Sequence, residues 1–464
     1  MRFVCQFRCL GALVCALLVL LPWLSVSADA QSRRPIFVRD AETEDLLRDY
    51  VRPIFRAAGL PVIEPEVILI QDRSFNAFVA DGKRIFIHTG VLIDAEDPTE
   101  VIGVLAHETG HIAGGHLAGL HDAVARARTI GAIATLLGAA AVGAGAAAGS
   151  PDAAQGGFVI AGGGQDVALR SLLAYRRAQE TAADRAAITY LDRVGISARG
   201  MVQTFRRFQS EQIFSSRFSD PYLLSHPIAR DRIASTERLA RMSRYWDAPL
   251  DPKLVERHNR VRAKLLAFTT HPRTTAREYP RTDRSVSARY ARAIATSRTG
   301  SPDRAVRQMD DLLKSEPNNP YFWEFRGQIL LEAGRPKEAL NSLSKAVSLE
   351  PTSGLLNILY GRALVATNDQ SLLRRAVEQL ELGLMREPSD GLGWRQLAIA
   401  ESRLGNDALA NLATANGLMI GGDLAASKGY ARRAQRGLPT GSPAWLRAED
   451  IIRYQPPDFQ RRRR

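Results

Sequence analysis

The segment Val104–His116, "VLAHETGHIAGGH", carries two histidines four residues apart, with a glutamate directly after the first. On an α-helix, residues i and i+4 lie on the same face, so His107 and His111 can bind one metal ion. Glu108 then lies beside that ion, where its carboxylate can take a proton from water. The pattern therefore predicts the metal-binding helix of a zinc hydrolase, with one Zn²⁺ per chain.

The residues before this motif favour a helix. Val101, Val104 and Leu105 are apolar and recur at helical spacing. Asp97 and Pro98 supply the N-cap and first-turn chemistry with which helices begin. Both histidines are therefore expected to lie within one helix, as two ligands from one face require.

A catalytic zinc site needs a third protein ligand, since the fourth position is left for water. In the metzincin pattern this ligand would be a histidine at position 117, but residue 117 is leucine and His116 comes one residue early. The other class takes a glutamate from a downstream helix, and Glu180 and Asp184 lie four residues apart in "ETAAD". We predict Glu180 as the third ligand and Asp184 as a hydrogen-bond acceptor that fixes the tautomer of a ligating imidazole.

Four segments resemble the zinc metallopeptidases that include the CAAX prenyl protease, HtpX and periplasmic BepA-like enzymes. They are "NAFVADGKRIFIHTGVL", "VLAHETGHIAGGH", "ETAAD" and "SHPIARDRI", and they occur in the order that the family shows. The resemblance implies a gluzincin endopeptidase with His107, His111 and Glu180 as zinc ligands and Glu108 as general base. It also implies the subgroup in which tetratricopeptide repeats follow the protease domain.

The resemblance also draws attention to His226 and Arg232 in "SHPIARDRI". Pro227 biases His226 toward an extended backbone, so this histidine is expected on a loop. Two roles are open: His226 can occupy the fourth zinc position and hold the enzyme shut, or His226 or Arg232 can stabilise the oxyanion.

The chain is long enough for several domains, and its composition changes along its length. We predict a mainly α protein: an α+β zincin-type domain with a small sheet that contains a hairpin, then an α-solenoid. The repeat prediction rests on Pro317, Pro351 and Pro388, which recur near the tetratricopeptide period, and on Trp323 and Trp394, which lie about two periods apart. The predicted divisions are a signal peptide (1–30), the zinc domain (37–245), a basic linker (246–285), the repeats (286–435) and a basic tail (436–464).

An alanine- and glycine-rich insertion, residues 129–165, separates the two predicted halves of the zinc site. Its apolar run from Ile130 to Ala148 is barely long enough to span a bilayer. Three interpretations stay open at this point: a helical hairpin packed over the cleft, a loop that touches the membrane, and a membrane span.

The N-terminus predicts export to the periplasm. Arg2 and Arg8 precede an apolar run, and "ADA" predicts cleavage near Ala30. All three cysteines lie within this predicted signal peptide, which excludes a cysteine protease.

The net charge of +13 comes without a recognisable nucleic-acid module. The basic stretch Arg257–Arg292 and the tail Arg461–Arg464 are interpreted as a solvated face and a disordered tail, and contact with anionic lipid or acidic protein surfaces is the alternative.

Together these features predict a periplasmic zinc endopeptidase that acts on misfolded or stalled envelope proteins. The repeats are expected to bind such substrates or an outer-membrane assembly component, and a peripheral contact with the membrane surface is left open. The alternative is a chaperone or assembly factor whose zinc site is structural or latched.

Overall fold

The computed structural model of the chain describes residues 35–61, 67–80, 82–147, 151–214, 226 and 230–456. The predicted signal peptide, the tail arginines Arg461–Arg464 and residues 225 and 227–229 of the "SHPIARDRI" segment lie outside these ranges. Within them, residues 37–456 belong to one compact unit.

A small mixed sheet lies beside the helix that carries His107. Its strands are β1 (Phe37–Val38), β2 (Val67–Ile70), β3 (Ala77–Val79) and β4 (Ile85–His88), in the order β1-β2-β4-β3. β2 and β4 run parallel, whereas β3 and β4 form the predicted antiparallel hairpin, with Phe78 opposite Phe86. Gly82 in its turn has φ +75°, and Asp81 lies outside the described residues. β3 is therefore an edge strand of the sheet.

Seven helices of the described N-terminal region follow, and those other than His116–Ala147 enclose one apolar core beside the sheet. They are α1 (Ala41–Ala57), α2 (Thr89–Asp94), α3 (Pro98–Ala113), α4 (His116–Ala147), α5 (Pro151–Val194), α6 (Arg199–Phe214) and α7 (Arg230–Arg241). α1 buries Leu46, Leu47, Tyr50, Val51 and Ile54, which recur at the spacing of one helix face. This face packs with strands β2 and β4 and with helices α3, α5 and α6 in the same core.

The predicted insertion lies in two long neighbouring helices, α4 and α5. Large apolar side chains are exposed along both helices: Ile133 (52%), Leu136 (71%) and Leu137 (59%) on α4, and Val167 (58%) and Leu169 (56%) on α5. Residues 116–142 of α4 are long and apolar enough to cross a membrane, judged by length and composition.

Ten helices follow in pairs in the described C-terminal region: α10 (Val286–Arg298), α11 (Pro302–Ser315), α12 (Pro320–Glu332), α13 (Pro336–Leu349), α14 (Gly354–Ala366), α15 (Leu373–Arg386), α16 (Gly391–Arg403), α17 (Asp407–Ile420), α18 (Leu424–Gly437) and α19 (Pro443–Arg453). The first helices of successive pairs begin at nearly equal intervals, close to the tetratricopeptide period. Such stacked pairs form the predicted α-solenoid. The predicted fold class, mainly α with a small hairpin-containing sheet, is confirmed.

The repeat period has a structural cause. The indole N–H of Trp323 donates to the carbonyl of Pro317 at 2.8 Å, and that of Trp394 donates to Pro388 at 2.9 Å. Between them, the side-chain amide of Asn357 donates to Pro351 at 3.1 Å. In these three repeats one polar side chain thus ties the start of a helix pair to the proline that closes the pair before it.

The segment predicted as a basic linker contains helices α8 (Pro252–Thr269) and α9 (Pro272–Glu278). Val261 and Leu265 of α8 are buried in the core of the N-terminal region, which an extended linker would not allow. Helix α19 likewise lies within the segment predicted as a tail. The positive charge of these segments predicts solvation, but the apolar positions between the charges, such as Val261 and Leu265, are the ones that pack in the core.

The interpretation of Arg257–Arg292 as a solvated face is therefore wrong for α8. Arg260 is buried and binds Glu42 at 2.5 Å, and buried Lys264 binds Asp40 at 2.5 Å. Arg257 binds Asp49 at 2.6 Å. The basic face of α8 is neutralised by the acidic start of α1 instead of by solvent.

His258 of α8 gives a stability prediction. Its ring is fully buried, 3.1 Å from both the Tyr50 hydroxyl and the Ala95 carbonyl, and burial lowers its pKa to about 4. An unfolded histidine has a pKa near 6.5, so between these values the unfolded chain binds a proton that the folded chain does not. The free energy of unfolding should therefore fall by about 3 kcal/mol as the pH drops from 7 to 4.

Urea unfolding at several pH values measures this dependence. His258→Gln should flatten it by that amount, whereas the exposed control His121→Gln should leave it unchanged. An unchanged pH slope in His258→Gln would contradict the assignment.

Candidate metal centre

Helix α3 holds the predicted ligand pair in the core. Asp97 caps its N-terminus by accepting a 2.7 Å hydrogen bond from the Thr99 N–H, and Glu100 completes a capping box. Pro98 occupies the first turn, where its missing N–H costs nothing. The helix is buried from residue 98 to residue 110, so His107 and Glu108 lie in the interior.

Helix α5 supplies the carboxylates because it approaches α3 closely. A Cβ atom on Gly110 would lie 2.9 Å from the carbonyl oxygen of Ala183. A larger residue at position 110 would therefore force the two helices apart. Because this contact falls between Glu180 and Asp184, both side chains reach the histidines of α3.

Four side chains converge at this crossing: His107, His111, Glu180 and His226, each with one possible donor atom within 4.8 Å of the others. His107 Nε2 lies 3.0 Å from His111 Nε2, 3.3 Å from His226 Nδ1 and 3.4 Å from Glu180 Oε2. His111 Nε2 lies 3.5 Å from Glu180 Oε1. The structure thus brings the three sequence-predicted ligands together and adds His226.

These separations fit a tetrahedral metal ion. Donor atoms about 2.0–2.1 Å from zinc in a tetrahedron lie about 3.3 Å from one another. The observed separations, from 3.0 to 3.5 Å, bracket that value. Two or three imidazoles with one carboxylate are also a donor set that suits zinc.

Asp184 and Arg232 contact the donor residues and restrict the orientation of their side chains. Asp184 Oδ1 lies 2.9 Å from His107 Nδ1, as predicted for the residue that fixes the tautomer of a ligand. The Arg232 guanidinium donates to Asp184 at 2.6 and 2.8 Å and lies 2.9 Å from Glu180 Oε2. This arrangement favours a positioning role for Arg232 over the oxyanion role.

Burial and charge shift the pKa values of the site in opposite directions. Burial opposes protonation of His107, but hydrogen bonds with Asp184 and Glu180 outweigh it and raise the pKa to about 9. Burial and the neighbouring charge of His107 lower the pKa of His111 to about 2. A proton and a metal ion therefore compete for His107, and metal binding releases that proton.

The pKa values of the two glutamates of the site, Glu180 and Glu108, are also shifted in opposite directions. Burial favours the neutral form of Glu180, yet the hydrogen bonds with His107 and His226 hold its pKa well below the usual range. Burial raises the pKa of Glu108, whose Oε1 lies 3.4 Å from His226 Nε2. An ionised Glu180 suits a ligand, and a Glu108 with a raised pKa suits a residue that accepts and returns a proton.

A cavity of about 220 Å³ opens beside this cluster. Glu108 and His111 line it on one side, and Phe78 and Val79 of the edge strand on another. The base of the α4–α5 pair completes the wall with half-buried Leu120 and other apolar side chains and with the polar side chains of Arg176 and Gln179. The predicted hairpin therefore lies beside the site, and its edge strand borders the cavity.

Sequence reasoning missed two residues. Thr236 Oγ1 lies 3.3 Å from Asp184 Oδ2, and no sequence signal marked it. His116 lies in the wrong register for a metzincin ligand, yet its Nδ1 lies 2.9 Å from His111 Nδ1. The two glycines directly before His116 are the sequence feature that could mark it as a site residue.

A buried helix with two imidazoles and a carboxylate, joined at a close crossing by a glutamate from a second helix, defines a metallopeptidase. Residues 41–240 match the family described as "Peptidase family M48". The match covers the region that contains all of the converging side chains, and it identifies this region as a metalloprotease domain.

Relatives extend the similarity into the repeats. The beta-barrel assembly-enhancing protease of Escherichia coli K12 is 25% identical over 365 residues, which are 77% of this chain and 71% of that protein. Its Vibrio cholerae counterpart is 28% identical over 348 residues, 73% of this chain and 69% of that protein. Human tetratricopeptide repeat protein 13 is 37% identical over 75 residues, 15% of this chain and 9% of that protein.

Proposed function

We propose that the chain is a zinc-dependent endopeptidase of the bacterial periplasm that cleaves misfolded or stalled envelope proteins. The observation that carries the proposal is the convergence of four donor side chains, with ligand atoms within 4.8 Å of one another, beside buried Glu108. The relatives named for β-barrel assembly support the compartment and the class of substrate.

His107, His111 and Glu180 would hold the zinc ion, with Asp184 and Arg232 fixing the orientation of two of them. Zinc bound there supplies a Lewis acid that polarises the scissile carbonyl and lowers the pKa of water. Glu108 accepts the proton of the attacking water and donates it to the leaving amine. Its raised pKa makes the carboxylate a better proton acceptor than an exposed glutamate.

The edge strand β3 favours a substrate that binds in an extended conformation. An extended peptide can pair with a sheet edge through backbone hydrogen bonds, and β3 borders the cavity next to Glu108. A folded protein cannot offer an extended segment to a buried site. The geometry therefore supports cleavage of unfolded chain segments, with an apolar side chain in the 220 Å³ cavity.

The repeat region would present such substrates or bind an assembly partner. A cavity of about 640 Å³ lies between helices α16 and α17 and is lined by Arg395, Arg403, Asp407 and Asn411 among others. Its mixed charges suit an extended protein segment. Because buried Lys264 of α8 forms ion pairs with Asp40, next to α1, and with Glu324 of the repeat helix α12, removing the repeats would expose Lys264, so the partner test belongs in the full chain.

The first prediction for the proposed zinc site distinguishes the ligands from the general base. His107→Ala, His111→Ala and Glu180→Ala should lose both bound zinc and casein cleavage. Glu108→Gln should keep its zinc but cleave at least about 100-fold more slowly, because the base is not a ligand. Zinc content by plasma mass spectrometry and casein hydrolysis measure the two properties, with His121→Ala as an exposed control.

Full zinc occupancy in Glu180→Ala would remove that residue from the ligand set. Zinc binding without any cleavage that depends on Glu108 would favour the second candidate function, a chaperone or assembly factor with a structural or latched site. The position of His226 gives that candidate its support, because a fourth protein donor beside the other three can exclude water.

A second prediction concerns His226, for which the latch is the role that its 3.1 Å distance to both Glu180 oxygens supports. His226→Ala should then cleave casein faster or cleave itself, because the fourth position becomes open to water. The double variant His226→Ala/Glu108→Gln should abolish that gain. A lower kcat with an unchanged KM in His226→Ala would instead assign the oxyanion role.

We also propose that the exposed apolar face of the α4–α5 pair contacts the membrane surface. Replacing Leu136 and Leu137 by glutamine should reduce co-flotation with phosphatidylethanolamine–phosphatidylglycerol vesicles several-fold, since about 25 cal/mol per Å² of apolar burial would be lost. Met385→Gln, an equally exposed apolar residue on α15, is the matched control. Unchanged flotation of the Leu136/Leu137 variant would contradict this contact.

A further inference from the structure

The imidazole of His111 has contacts on both of its ring nitrogens. Nε2 faces the donor cluster, 3.0 Å from His107 Nε2, whereas Nδ1 lies 2.9 Å from Nδ1 of His116. The two rings of the His111–His116 pair meet edge to face, with centroids 4.9 Å apart and planes at 82°. His116 is therefore fixed against the side of His111 that points away from the cluster.

We infer that His116 is a positioning residue for the metal ligand His111. An imidazole that binds a metal through one nitrogen carries its proton on the other, and a hydrogen-bond acceptor at that proton fixes the tautomer and the ring orientation. For His107 this acceptor is the Asp184 carboxylate, 2.9 Å from Nδ1. For His111 the group in that place is His116 Nδ1, which accepts when His116 carries its own proton on Nε2.

The backbone between α3 and α4 makes room for the contact between His116 and His111. A Cβ atom on Gly114 would lie 2.2 Å from Nε2 of His116, so the ring folds back over a residue that has no side chain. Gly115 has φ +60°, a left-handed conformation that other residues adopt only at a cost. Both glycines of "GGH" are thus explained by the placement of one imidazole.

This inference rests on the proposed zinc site, since a positioning residue needs a ligand to position. Removing an outer hydrogen-bond partner of a ligand commonly weakens metal binding by about 10–100-fold. Nδ1 of an imidazole and the side-chain oxygen of asparagine lie at similar distances from the backbone. Asparagine at position 116 can therefore replace the acceptor, whereas alanine cannot.

The test measures the zinc dissociation constant of the full-length protein by competition with a chelator of known affinity. His116→Ala should bind zinc about 10–100-fold more weakly, and His116→Asn should stay within a few-fold of the wild type. Gly114→Ala retains His116 but displaces its ring, so it should also weaken binding. The exposed His121→Ala, on the same helix α4, should have wild-type affinity.

The outcomes separate the two proposals. A wild-type protein that binds no zinc would overturn the metal centre and the role of His116 together. Wild-type zinc affinity in both His116→Ala and Gly114→Ala would overturn the role of His116 and leave the metal centre standing. His116→Asn as weak as His116→Ala would show that the contact is not an acceptor contact, which also overturns the inference.

Discussion

The close approach of helices α3 and α5 at Gly110 is the constraint on which the rest of the site depends. With no side chain at position 110, the backbone of Ala183 comes near enough for Glu180 and Asp184 to reach the histidines. A side chain there would separate the carboxylates from the imidazoles, and neither helix alone supplies the donors that a metal requires. The whole site is thus a consequence of packing between two helices rather than of one motif.

That crossing places several charges out of water, which is tolerable only because they are paired. Glu180 and Asp184 share the guanidinium of Arg232, and Asp184 also faces His107. Buried carboxylates without such partners would cost several kcal/mol each. The same pairs restrict the rotamers of the donors, so compensation of charge and preorganisation for a metal ion arise from the same contacts.

Helix α1 connects the metalloprotease region to the repeats. One face fills the apolar core beside the sheet, while its acidic N-terminal turn binds Arg260 and Lys264 of α8. Tyr321 of the repeat helix α12 donates to Asp45 of α1 at 2.9 Å. These contacts fix the start of the solenoid against the protease region, which supports the view that substrates bound by the repeats are held at a defined place relative to the cleft.

The sequence by itself determined the local features: the helix with His107 and His111, the hairpin, and the repeat period, because each depends on residues near one another in the chain. It also predicted Glu180 as a ligand, and the structure brings this residue to the cluster. Tertiary structure alone decided that α8 is a buried helix rather than a linker, since its charges are neutralised by acids of α1, the first helix of the described chain. It alone also placed Arg232 on Asp184 and showed that His226, for which the sequence left two roles open, lies among the donors. Both contacts join segments that are far apart in the chain.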